Sequence, residues 1–166
     1  MNKIIEEYFS MKIVTINKFM AYRGKFRPKN PEKYTNGQAG PIPVYRSLWE
    51  WKVCKYCDNN ENIVEWSVEP FAIPYVSPAD GRTHRYFPDF YIRTVNGDTF
   101  IIEVKPDKQT RPPKFKSTPK RGVPTRRFLK EQRTYGVNMA KWDAAKTFCD
   151  NMGASFKIMT EKNTNF

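Results

Sequence analysis

The chain has 166 residues, 39% hydrophobic and 15% aromatic, which suits one domain with a real core and excludes a disordered polymer. Its formal charge of +12 and pI of 9.7 point to a polyanionic partner. No apolar run reaches transmembrane length, no leader pattern opens the chain, and an odd three cysteines fit a reducing compartment better than a disulfide framework, so the expectation is an intracellular protein facing nucleic acid and not a membrane.

Residues 1–20 read as an appendage, a short amphipathic helix or strand in which Met11 and Met20 are alternative starts. Residues 21–43 follow as a basic extended arm. Its stretch YRGKFRPKNPEKY carries Arg23, Lys25, Arg27, Lys29 and Lys33 against the single acid Glu32, with two prolines and a glycine. A folded domain is expected over 44–162. Its first helix spans 44–58, because Tyr45, Leu48, Trp49, Val53 and Tyr56 form one stripe of a 3.6-residue period, with Glu50 beside it. Arg46 stands four residues before Glu50 and offers it an ion pair. Next, 63–76 reads as one or two strands kinked by Pro70 and Pro74, 84–95 as a strand, and 98–106 as another.

Asn96-Gly97 between those last two is a hairpin signal. Two registers are open. A two-residue loop pairs Val95 with Asp98, which sets Asp89 opposite Val104 and away from Glu103 and Lys105. A three-residue loop, Val95-Asn96-Gly97, with Gly97 left-handed, pairs Thr94 with Asp98. It sets Asp89 opposite Glu103, with Lys105 on the same face. If these three residues form a site, the second register must hold, or a bulge near Pro88 must do the same job.

The stretch 107–124 reads as a mobile basic loop. From Lys108 to Lys130 nine cations follow one another without an acid: Lys108, Arg111, Lys114, Lys116, Lys120, Arg121, Arg126, Arg127 and Lys130. Four prolines and a glycine oppose regular structure there, and contact with a nucleic-acid backbone is the preferred reading over an acidic protein surface. Residues 125–153 are mostly helical, divided at Gly136 and capped by Gly153, and 154–162 forms a last short strand. The layout is α/β with a mixed sheet.

Charged residues that interrupt apolar strands are paired or functional. Asp89, Glu103 and Lys105 do so here, and Glu50 joins them from the first helix. Two carboxylates and a strand carbonyl, that of Val104, make an oxygen site for a hard cation such as Mg2+, for which Mn2+ can substitute. Such an ion activates water for attack on a phosphodiester, and Lys105 would orient that water or meet the developing charge. Glu69 is a weaker candidate neighbour. The Cys54-x-x-Cys57 pair sits in a helix without a second pair, which argues for core and against zinc. His84 is read first as a strand-start surface residue, and the four tryptophans as core.

At these positions the sequence resembles the PD-(D/E)xK nuclease superfamily: Pro88-Asp89, then Glu103-Val104-Lys105, after a helix bearing Glu50. The longer pattern YRGKFRPKNPEKY, YRSLWEWK, EPFAIPY and HRYFPDF…IIEVKP is most similar to the small head-completion nucleases of tailed phages, and less closely to TnsA-type endonucleases, which tend to carry glutamine where Glu103 stands. The resemblance covers about Tyr22 to Lys157. It implies a restriction-endonuclease-like fold and an Mg2+-dependent DNA endonuclease using Glu50, Asp89, Glu103 and Lys105. It also implies action on double-stranded DNA late in particle assembly, near portal or neck proteins, in the host cytoplasm and then in the virion. The alternatives are a structural neck protein that grips DNA without cutting it and a transposase endonuclease subunit. DNA contacts are expected at Lys25, Arg27 and Lys29 and along the basic loop.

Overall fold

The computed structural model describes residues 23–38, 40–115 and 123–162, so the appendage 1–20 and Lys116, Lys120 and Arg121 lie outside the described residues. Chain order is β1 (Gly24–Lys25), β2 (Val44–Tyr45), α1 (Leu48–Asn59), β3 (Ile63–Val68), β4 (Ile73–Val76), β5 (Thr83–Tyr86), β6 (Phe90–Thr94), β7 (Thr99–Val104), α2 (Arg126–Met152) and β8 (Ser155–Met159). The central sheet has the order β3-β6-β7-β8, antiparallel except for the parallel pair β7-β8, whose crossover is α2. This is the mixed α/β architecture expected of a restriction-endonuclease-like fold. Two-stranded pairs β1-β2 and β4-β5 flank it.

The two sheet faces bury different helices, as strand alternation requires. Phe90, Ile92, Phe100 and Ile102 pack with Val53, Cys54 and Cys57 of α1 around Trp66. On the other side Ala145 of α2 packs with Ile73, Tyr75 and Tyr86, against Val137, Phe148 and Phe156. Strand β7 is therefore buried on both faces through Phe100, Ile101, Ile102 and Glu103.

Several local expectations change. The first helix starts at Leu48, because Ser47 caps it and Val44–Tyr45 pairs with β1 as a strand. Its buried face is Val53, Cys54, Cys57 and Asp58, rotated from the predicted stripe. The run 84–95 is two strands in two sheets, broken at Phe87-Pro88-Asp89, since proline supplies no amide to the ladder. Gly136 does not divide α2, which runs unbroken from Arg126 to Met152. Gly153 does cap it, at φ 66°.

The basic segment before β2 is docked on the domain. Phe26 is buried against Trp66, and the backbone amides of Lys29 and Asn30 donate to the buried Asp58 carboxylate at 2.8 and 2.9 Å. Asp58 thus spends its charge organising a loop, which is why a carboxylate is tolerated in the core face of α1.

Candidate active site

The β6-β7 hairpin takes the three-residue loop. Gly97 has φ 87°, the Thr94 amide donates to the Asp98 carbonyl at 3.0 Å, and Phe90 pairs with Ile102. One step beyond that last pair, Asp89 faces Glu103. The side chain of Asp89 accepts from the Val104 amide at 2.7 Å, which fixes it over the end of β7.

Glu103 is buried, and each of its oxygens is met. Lys105 Nζ lies 2.6 Å from Oε1, and the Tyr86 hydroxyl donates to Oε2 at 2.6 Å. Tyr86, at the end of β5, escaped notice in the sequence; the only signal was its place in the HRYFPDF run. Desolvation, and then the neighbouring Glu103 carboxylate, push the Asp89 acid well above the usual carboxylate range, against the opposing pull of Lys105 and the Val104 amide. Burial draws the Lys105 ammonium down, but Glu103, Asp89 and Glu50 together more than offset it and hold it above its ordinary value.

Glu50 stands close enough to raise both Asp89 and Lys105, yet its carboxylate is engaged at the start of α1. Oε2 accepts from the Arg46 amide at 2.7 Å and Oε1 from Ser47 Oγ at 2.9 Å, while the Glu50 amide donates back to Ser47 Oγ. This is a variant of the capping box, in which the back-bond goes to the amide of Arg46, one residue before the N-cap Ser47; the Ser47-x-x-Glu50 spacing signals it but was passed over. The Arg46 guanidinium turns instead to Glu69, so the expected ion pair with Glu50 is replaced by one across the β3-β4 junction. Glu69 adopts φ 47°, and its amide donates to the Asp89 carbonyl at 3.0 Å. A non-glycine residue in this strained region, bonded to the backbone of Asp89, ties the Arg46-Glu69 pair to the site.

The residues fit a hard divalent cation. Among the described residues Asp89 Oδ1 has no hydrogen bond, and two carboxyl groups face the single ammonium of Lys105 in a desolvated place. Among the described residues no group of three or more His, Cys, Asp or Glu side chains is gathered closely enough to hold a metal by itself. Mg2+ binds through one or two carboxylates and completes its shell with carbonyls, waters and substrate phosphate. Asp89, Glu103 and the Val104 carbonyl are the donors available. The same observation leaves Cys54, Cys57 and Cys149 as buried, free core thiols; burial pushes Cys149 up to about 11. His84 pairs with Asp80 at 2.9 Å on an exposed strand.

The cations assigned to DNA differ in their surroundings. Lys25, Arg27, Lys29, Lys114 and Arg126 are exposed and make no ion pair among the described residues. Lys108 and Arg127 share Glu131, at 3.5 and 3.1 Å, and Arg111 pairs with Asp107 at 2.9 Å.

Residues 60–161 match the model of the TnsA-like endonuclease N-terminal family. The chain is also 40% identical over 142 residues to the head completion nuclease of Enterobacteria phage T4, across 86% of this chain and 93% of that protein.

Proposed function

The chain belongs to the TnsA-like endonuclease family as a head-completion endonuclease, and from that premise we propose that it cuts DNA at the Asp89-Glu103-Lys105 cluster with the help of a divalent cation. The observation that carries this reading is the hairpin register, which sets two desolvated carboxylates across from each other with a lysine on the same face.

Mg2+ bound there would lower the pKa of a water and neutralise charge on the scissile phosphate. The protein's own contribution is positional and electrostatic. Asp89 is oriented by the Val104 amide, and Glu103 by Tyr86 and Lys105. Lys105, partly exposed, presents its ammonium to the charge that develops on the phosphate. Glu50 adds negative charge at the rim, and each of its oxygens, already accepting one bond at the helix start, keeps a lone pair with which it could join the ligand set. The exposed cations of the arm and basic loop would hold the DNA backbone. The described residues hold one such cluster, and with one per chain a double-strand break would take two copies or two successive nicks. Portal or neck proteins would bring it to the filled head.

The biological reading is tested with phage whose copy carries Asp89→Asn. The expected result is particles that package DNA but fail to mature into infectious virions. Normal yields of infectious phage from that variant would overturn cleavage as the function and leave a role in gripping DNA.

A further inference from the structure

We infer that a cleft along one face of α2 is a second phosphate subsite, seating the DNA backbone within a few nucleotides of the cut; this rests on the nuclease reading above. The cleft has a volume of about 510 Å³ and is lined by Lys130, Arg133, Thr134, Asn138 and Lys141, with the apolar side chain of Val137 forming part of its floor. These positions recur every three or four residues, so a 3.6-residue helix stacks them in one row.

Three observations favour an anionic ligand of the backbone kind. The cleft cations have no carboxylate partner among the described residues, whereas elsewhere on the same helix Arg127 pairs with Glu131 and Lys146 with Asp143. Unpaired positive charge is thus concentrated on this face of α2. Asn138, one of the lining residues, is 6% exposed, and its buried Nδ2 has no hydrogen-bond partner among the described residues, so it meets a ligand oxygen only by a shift of its side chain toward the cleft. Finally, the last cation of the row lies against a residue that supports the acid pair. Lys141 Nζ lies 5.7 Å from the centres of both the Tyr75 and Tyr86 rings, and the Tyr86 hydroxyl holds Glu103. One tyrosine ring therefore separates Lys141 from a catalytic carboxylate. Successive phosphates of one strand advance about 3.4 Å along the duplex axis, so a strand bound at the acid pair passes over this row within a few nucleotides. Hydroxyl, amide and cations in one groove match the phosphate oxygens of a nucleic-acid backbone; they carry no feature that reads bases.

The test is fluorescence anisotropy of a labelled duplex with the full chain in EDTA, titrated at several salt concentrations. Wild type is compared with Lys130→Gln/Arg133→Gln, with Lys141→Met, which keeps the apolar stem over the rings, and with Lys146→Gln as a control. Arg133→Lys serves as the charge-conserving variant, and thermal melts verify folding. Each lost phosphate contact lowers the slope of log affinity against log salt by about 0.9, so the double variant should lose about 1.8 and bind several-fold more weakly. Lys141→Met should lose about 0.9, while Lys146→Gln and Arg133→Lys keep the wild-type slope. Wild-type affinity and slope in both cleft variants would overturn the subsite, and would be the outcome if this face met an acidic protein surface instead. If the subsite fails while wild type still cuts plasmid, the error lies in the cleft alone. If wild type shows the cleft-dependent slope but never cuts with any divalent cation, the cleft stands and the nuclease reading falls.

Discussion

Asp89 is the residue whose chemistry and stability pull in opposite directions. Its folded pKa is raised by desolvation and by Glu103. A group raised in the fold contributes stability that is fully present below its unfolded pKa and is lost as pH rises through the folded value. In the absence of a cation, Asp89 therefore weakens the fold near neutral pH. Asp89→Asn should abolish cutting and yet raise the melting temperature in EDTA, at roughly 2–4 °C per kcal/mol gained. The gap between variant and wild type should be wide at pH 8 and narrow at pH 5; a gap that widens toward acid would contradict the assignment. Glu50 allows a separate residue-scale test. Glutamine also completes a capping box, so Glu50→Gln should leave urea stability within about 0.5 kcal/mol of wild type while removing the rim charge. Cutting should fall roughly ten-fold. Full activity in that variant would confine Glu50 to its helix cap. The acid pair was legible in the sequence because charges in apolar strands are rare and their parity is fixed. The supporting contacts were not. Tyr86 reaches Glu103 from a strand in another sheet, and Arg46 finds Glu69 across 23 residues, so no local pattern announces either one.

The hairpin is the element on which the site depends. Its register was readable because only the three-residue loop places Asp89 opposite Glu103, and Asn96-Gly97 supplies the left-handed residue that loop requires. Gly97→Val forces a β-branched residue to φ 87° and should cost about 1–2 kcal/mol in urea unfolding. Gly97→Asn should cost clearly less, since asparagine visits that region. Equal costs for the two would mean the loop adopts another turn. Other element boundaries were missed for identifiable reasons. Strand β5 leaves the central sheet to pair with β4, a choice made by long-range burial of Tyr75 and Tyr86. Gly136 lies within a 27-residue helix long enough to absorb its weak propensity. The helix α1 stripe was misplaced because two cysteines and an aspartate, residues that hydropathy underrates, occupy its buried face.

At the scale of the molecule, the positive segment ahead of β2 is part of the folded domain as well as a possible hold on DNA. Asp58 links the two, since its carboxylate takes both the Lys29 and Asn30 amides, and its carbonyl takes the Asn30 side chain at 2.8 Å. Asp58→Ala leaves those amides unmet and should cost about 3 kcal/mol, with new protease cleavage confined to residues upstream of β2. Unchanged stability would mean the segment is dispensable to the fold. With the arm docked, Lys25, Arg27 and Lys29 are exposed on a segment fastened to the domain, and on the proposed reading they would hold the DNA backbone. The most direct measurement is the conversion of supercoiled plasmid by the purified chain in Mg2+ against EDTA, beside Asp89→Asn and Lys105→Met. The account predicts nicking or linearisation that requires the cation, disappears in Asp89→Asn, and falls roughly 100- to 1000-fold in Lys105→Met. Cutting that persists in EDTA, or at the wild-type rate in either variant, would contradict it.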